Sequence, residues 1–259
     1  MDFVGGPMYY LRNGFGSVFL SVTFSVFCIG ACFGMGNMVQ ANAIAVSLKN
    51  QFRVNSFCVG AILLLLVAIV IFGGCQRIAK TNAGLVPVMC FVYVFCCIII
   101  VFMRTDALPK VFSQIFQEAF SLPSAAGGIS SYGIFSAMRN GFAKGIFSSE
   151  AGLGSAPLAH GSSDSGDEEE HGFWGMFEVL FTTLICTLTA LVILTSESFV
   201  STSLSAETLT LFSFEEGLPN FGGFVVCIST LLFSLSSILG WAFYGEICID
   251  FLFPKKMLI

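Results

Sequence analysis

Charge is what this chain has least of. Eleven basic and sixteen acidic residues make up 10% of its 259 positions, where a soluble domain carries roughly 25%. With 56% of the chain hydrophobic, that scarcity excludes an ordinary soluble fold. The net charge of −5 arises from connecting segments and suggests no nucleic-acid partner. Histidine is scarcer still, and the only two, His160 and His171, flank one polar loop. No nucleophile–base pair is discernible, so the chain does not read as an enzyme. No C-x-x-C pair occurs among the ten cysteines. Cys28, Cys32, Cys58, Cys90, Cys96, Cys97, Cys186 and Cys227 lie inside apolar runs, where a thiol acts as a small hydrophobe rather than a disulfide partner or metal ligand. The first fifteen residues hold Asp2, Arg12 and Gly5-Gly6-Pro7 in place of a basic start and an apolar core. No signal peptide is visible, and insertion is expected to use the first membrane helix itself.

What the chain has in abundance is uninterrupted apolar sequence. Residues 13–48, 54–76, 81–103 and 217–245 contain no Asp, Glu, Lys or Arg. Each window exceeds the roughly 20 residues with which a helix crosses about 30 Å of hydrocarbon. A transmembrane β-barrel needs short alternating segments, and these runs are continuous. The expected fold class is therefore all-α integral membrane, with one polytopic domain over residues 1–259.

Six spans are expected, near 15–46, 56–74, 84–103, 126–160, 173–195 and 221–244. In the first, Gly30 and Gly34 stand four apart, a spacing suited to close helix contact. Residues 76–80 read as a short basic connection. Residues 104–125 read as a connecting segment whose stretch from Val111 to Phe120 is amphipathic enough to lie at the interface. A polar loop covers 161–172, and a loop containing Ser, Thr and Glu reaches Pro219.

The fourth span is interrupted. The run Gly145-Ile146-Phe147-Ser148-Ser149-Glu150-Ala151-Gly152-Leu153-Gly154-Ser155-Ala156-Pro157 places three hydroxyls, a carboxylate, three glycines and a proline between apolar stretches. Backbone groups freed by a helix break in lipid must find partners away from water, so such a segment survives where it lines a cavity. A break near Phe147 is expected, with Ser148 or Ser149 as N-cap and Glu150 in the first turn of the next half-helix. That arrangement offers free amides to a carboxylate; a capped kink that serves only packing is the alternative. Glu150 has three open roles: capping, pairing with Arg139 or Lys144, or sitting near an ion.

Gln40 and Asn37 lie one turn apart on the first span, suited either to interhelical hydrogen bonds or to a ligand. Ser234-Leu235-Ser236-Ser237 can supply oxygens to a hard cation, or can bond its own helix backbone. The acid-rich loop with Asp164, Asp167, Glu168, Glu169 and Glu170 lacks metal-ligand spacing and reads as a solvated run.

Phe147-Ser148-Ser149-Glu150-Ala151-Gly152-Leu153-Gly154-Ser155-Ala156-Pro157, followed by Ala159-His160, closely resembles the signature of the alanine/glycine:cation symporters. Other pieces agree in order: Gly5-Gly6-Pro7-Met8-Tyr9-Tyr10-Leu11, Gly36-Asn37-Met38-Val39-Gln40-Ala41-Asn42, Cys186-Thr187 with Thr189-Ala190, Ser236-Ser237-Ile238-Leu239-Gly240-Trp241, and Tyr244-Gly245-Glu246. The resemblance covers essentially the whole chain. It implies a LeuT-type fold of two inverted repeats in the plasma membrane, and sodium- or proton-driven uptake of alanine or glycine by alternating access, with sodium taken as the coupling ion. Carried over by position, Gln40, Phe147, Ser148, Ser149, Gly152 and Trp241 would contact the amino acid. Ser236 and Ser237 resemble the hydroxyls of the family's sodium site, and no further cofactor is implied.

Two departures stand out. Ser149 occupies a position where the family has Asn. The family's upstream broken helix, with its Gly-Thr-Gly-Asn-like run, has no counterpart here, and the C-terminal helices are also expected to be missing. The fold is thus expected to be incomplete, with six spans that correspond to the last three helices of one repeat and the first three of the next. A non-transporting remnant or subunit, complemented by an N-terminal fragment, is the alternative reading.

Overall fold

A computed structural model of the chain describes residues 5–120, 129–161, 167–196 and 206–253. Among the described residues every regular element is a helix. Helix α1 (Pro7–Asn13) starts with proline, whose fixed φ and missing amide suit a first turn. Helix α2 (Val18–Ala31) is N-capped by Ser17, whose Oγ accepts from the Leu20 amide at 3.3 Å. It continues through a π-helical segment, Cys32–Met38, into α3 (Val39–Phe52). Asn55 caps α4 (Ser56–Ile71), its Oδ1 accepting from the Phe57 amide at 2.9 Å. There follow α5 (Cys75–Met103), α6 (Leu108–Phe120), α7 (Ile129–Ser149), α8 (Ser155–His160), α9 (Glu168–Leu194), α10 (Ala206–Gly217) and α11 (Gly222–Leu252).

Four of these runs are long and apolar enough to cross a membrane: Val18–Phe52, Gln76–Met103, Glu169–Leu194 and Gly222–Leu252. Helix α4 is equally apolar but only 16 residues long. Helix α7 has 21 residues, yet Arg139, Lys144 and its glycines keep it out of that group.

The α11 helix is the central post. It supplies Val225 and Val226 to a core with Tyr93, Cys97 and Ile100 of α5, Val192 of α9, and Leu211 and Phe214 of α10. Ile247 and Cys248 join Met8, Cys28 and Leu158 in a second core, while Ile238 meets Ile44 and Val59 in a third. Half of its most apolar window is buried against protein, against 6% for α9. So α9 packs little against the other described helices, and α11 holds them together. Every cysteine whose side chain is described is free, and seven of these nine are buried, in keeping with a packing role.

Four expectations change. The basic stretch 76–80 is not a connection but the first turns of α5. The chain reverses earlier, at Gly74 with φ +75°, and Gln76, Arg77, Ala79 and Lys80 are good helix formers. The acidic end of the loop 161–172 is the start of α9. Asp167 Oδ1 accepts from the Glu169 and Glu170 amides at 3.1 and 3.4 Å, and the following glutamates favour a helix N-terminus; residues 162–166 lie outside the described residues.

The loop expected before Pro219 contains α10. Phe214, fully buried, stacks on Tyr93 with centroids 5.4 Å apart, and Ser213 Oγ meets Ser196 Oγ at 2.9 Å. Burial of a phenylalanine, worth about 1.5–3 kcal/mol, outweighs the poor helix propensity of the Ser and Thr around it. Finally, a Cβ built on Gly30 or Gly34 meets nothing within 4 Å, so among the described residues none makes the helix contact expected there. The close approach falls on Gly36, where an added Cβ lies 2.6 Å from Trp241 Cβ.

Candidate functional site: a broken helix and its cavity

Helix α7 runs through Ser148 and Ser149 and stops there. Glu150, Gly152 and Gly154 adopt φ values of +52°, +80° and +88°, a left-handed backbone that an L side chain resists and glycine accepts. The Glu150 amide still reaches the Ile146 carbonyl at 2.9 Å, and the Leu153 amide turns back to the Glu150 carbonyl at 3.1 Å. Helix α8 then begins at Ser155 with Gly154 as its N-cap and no side-chain cap.

The break is therefore one turn later than expected. Ser148 and Ser149 do not cap the second half-helix, and Glu150 is not in its first turn. Ser149 Oγ instead donates to the Gly145 carbonyl at 2.9 Å, inside α7. That internal bond is the local competitor a serine always has in a helix.

The far side of the break is anchored. A Cβ on Gly154 would sit 2.8 Å from Phe24 Cε2 and 3.0 Å from Pro7 Cγ, so only glycine fits between α1 and α2. Leu158, fully buried, ties α8 to Met8 and Cys248. Beside the unwound stretch lies a cavity of about 220 Å³, lined by Ser149, Glu150, Gly152 and Ser155 with Glu178 of α9 and Tyr244 of α11. Among the described residues no lysine or arginine lines it. Ser155 Oγ is buried there without a hydrogen-bond partner.

Glu150 makes neither of the two ion pairs left open for it, with Arg139 or with Lys144. Among the described residues the one ion pair is Arg104–Glu216, at 2.9 Å. Lys144 lies instead over the Phe147 ring, 5.8 Å from its centroid.

Of the residues singled out in the sequence, Ser149 and Gly152 line the cavity itself. Trp241, buried at 6% exposure, does not line it but packs edge-to-face on Tyr244, which does, at 5.6 Å. Ser148 turns the other way, into a groove with Cys186 and Thr187. Its Oγ lies 3.1 Å from Cys186 Sγ. Phe147 and Gln40 do not line the cavity.

Gln40 follows the π-helical segment. There the Val39 amide reaches back five residues to the Gly34 carbonyl, a widening of the kind that recurs at functional sites. Asn37, in that segment, leaves a buried Oδ1 unpartnered. Ser236 and Ser237 are half-buried on the unbroken α11.

Sequence reading passed over Glu178 and Tyr244. Glu178 carried its signal openly, as the one carboxylate within the expected span 173–195, where an ionisable side chain is costly and marks a functional position. Tyr244 lay within the family-like run Tyr244-Gly245-Glu246, but an aromatic in an apolar run reads as packing rather than as a site residue. Among the described residues no three metal-ligating side chains cluster.

Comparison with known proteins places the chain in a family. The family model described as the sodium:alanine symporter family matches residues 1–259. The uncharacterized transporter YflA of Bacillus subtilis is 36% identical over 98% of this chain and 54% of its own length. The sodium/alanine symporter AgcS of Methanococcus maripaludis is 34% identical over 98% of this chain and 57% of its own. The probable sodium/glutamine symporter GlnT of Bacillus subtilis is 35% identical over 99% and 53%. The chain thus spans about half the length of the curated relatives it matches. Those relatives are transporters rather than enzymes, and the apolar helices make this a multi-pass protein of the plasma membrane. The chain belongs to the sodium:alanine symporter family.

Proposed function

We propose that this chain forms the substrate- and ion-handling core of a symporter that moves a small neutral amino acid, alanine or glycine, together with sodium. The observation that carries the reading is the unwound stretch Glu150–Gly154 between α7 and α8, with Ser149, Gly152 and Tyr244 on one small cavity. Discontinuous membrane helices place backbone groups at a midplane site in secondary transporters. A volume of about 220 Å³ lies below the roughly 300 Å³ at which drug-sized pockets begin, and so suits a ligand of few atoms.

Ser149 and Gly152 line the substrate space, and Trp241 closes it through Tyr244. Gln40, Phe147 and Ser148 contribute from the flanking helices, and Ser236 and Ser237 hold sodium on α11. The six membrane segments, including the broken one, form a single polytopic domain of LeuT type. In that fold two inverted repeats rock around a fixed site. Sodium drives uptake only as far as it binds one of the two states more tightly than the other.

The reading is tested by uptake of labelled alanine and glycine in cells expressing the complete polypeptide that the gene encodes. Gln40→Ala and Ser148→Ala are each expected to cut uptake sharply at unchanged surface expression; undiminished uptake in both would remove the site assigned here. Uptake seen only with a co-expressed N-terminal fragment would make this chain a subunit.

A further inference from the structure

The α5 helix brings a side chain to the serine pair that no motif singled out. Asn82 Nδ2 donates to the Ser236 carbonyl at 3.3 Å, bridging α5 and α11. That bond fixes which way the amide faces, since only its NH2 end can donate to a carbonyl. The other end is left over: Asn82 Oδ1 is fully buried and has no hydrogen-bond partner. A buried amide oxygen without a partner is destabilising, and a fold that keeps one normally has a use for it.

The surroundings indicate the use. Helix α11 is continuous from Gly222 to Leu252, so its carbonyls near Ser236 already accept from their own helix. At this level it offers a cation the hydroxyls of Ser236 and Ser237. A hard monovalent cation needs more oxygens than two, and neutral amide carbonyls are among those it takes. The neighbouring helix that carries a spare one is α5.

We propose that Asn82 Oδ1 is a ligand of the transported sodium ion, which sits between α5 and α11 and shares the hydroxyls of Ser236 and Ser237. This rests on the sodium site assigned above to those serines. It adds a ligand from a second helix, so the ion holds α5 against α11 when bound and releases that contact when it leaves.

The test reads binding rather than transport. The complete polypeptide, purified in detergent, is unfolded by heat across a titration of sodium chloride, with choline chloride holding ionic strength constant. A ligand that binds only the folded state raises the unfolding temperature as it saturates. Asn82→Ala is expected to raise the half-saturating sodium concentration about tenfold, the lower end of the loss typical when a supporting group at a metal site is removed. Asn82→Asp, which keeps an oxygen in place, is expected to recover most of that loss, and serves as the readable variant should the alanine protein fail to fold.

An Asn82 that only clamps the two helices would lower the unfolding temperature equally with and without sodium and leave the half-saturation point unmoved. That outcome, with Ser236→Ala and Ser237→Ala still shifting the titration, overturns the role of Asn82 alone. Serine variants that titrate as the parent does overturn the sodium site itself.

Discussion

Trp241 packs directly onto Gly36. A single carbon added to the glycine would fall 2.6 Å from Trp241 Cβ and 2.7 Å from Cδ2, inside van der Waals contact. The glycine belongs to the π-helical segment before Gln40, and the tryptophan leads through Tyr244 to the cavity at the broken helix. One contact therefore links the two parts of the chain that carry the proposed substrate residues.

Gly36→Ala is accordingly expected to force the indole or the helix aside. Overpacking of this kind costs about 1–3 kcal/mol. The thermal unfolding midpoint in detergent should fall, and the intrinsic fluorescence of the buried Trp241 should move with it.

Glycines at other positions should respond differently, and the contrast is a sharper test than any one variant. Gly30 and Gly34 have open space where a Cβ would go. Gly30→Ala and Gly34→Ala should hold stability or raise it, by about 0.5–1 kcal/mol each from the better helix former. Gly154→Ala combines a positive φ of +88° with a Cβ 2.8 Å from Phe24. It should lose about 1–2 kcal/mol from the backbone alone, with the overlap on Phe24 adding to the loss. Equal tolerance at all three positions, read by thermal unfolding, would contradict the placement of α8 against α2.

The core between α5 and α9 contains one hydrogen bond that can be removed cleanly. Tyr93 Oη and Thr189 Oγ1 lie 2.8 Å apart, and Thr189 also donates to the Ile185 carbonyl at 2.9 Å. Tyr93→Phe keeps the stacking on Phe214 and leaves Thr189 its backbone partner. A loss of about 1 kcal/mol is expected, as for one buried neutral hydrogen bond. A Tyr93→Phe protein as stable as the parent would show that the pair does not form.

Arg104 at the end of α5 and Glu216 in α10 form an ion pair of 2.9 Å, with side chains 16% and 32% exposed. Partly solvated pairs contribute modestly. A double-mutant cycle with Arg104→Ala and Glu216→Ala should give a coupling of about 1 kcal/mol or less. The coupling should shrink as salt rises. A coupling well above 1 kcal/mol, or one that does not fall with salt, would contradict a partly solvated pair.

The sequence made some of this architecture plain and hid the rest for definite reasons. Long uncharged windows announced α2, α5 and α11, because nothing but burial in lipid tolerates so many apolar residues in a row. The interruption after Phe147 was also visible, since Gly152 and Gly154 have no place in a regular helix. Its exact position was not, because Ser148 and Ser149 fit an N-cap pattern equally well as they fit the end of α7, where Ser149 bonds Gly145. Helix α10 was hidden by its Ser, Thr and Glu content; its reason to exist is Phe214, whose partner Tyr93 lies far away in the sequence. The pairing of Gly36 with Trp241 is likewise a tertiary fact. Gly30 and Gly34 carried the recognisable spacing, and only the π-helical widening at Cys32–Met38 decides which glycine meets α11.

The central claim is that this chain handles sodium and a small amino acid together. The most direct measurement is uptake of labelled alanine into proteoliposomes containing the complete polypeptide, driven by an inward sodium gradient and repeated after a sodium ionophore collapses it. The account predicts accumulation above the outside concentration that disappears with the gradient, and that Ser236→Ala and Ser237→Ala shift to higher sodium. Accumulation that persists in sodium-free buffer, or is unaltered by the ionophore, would contradict it.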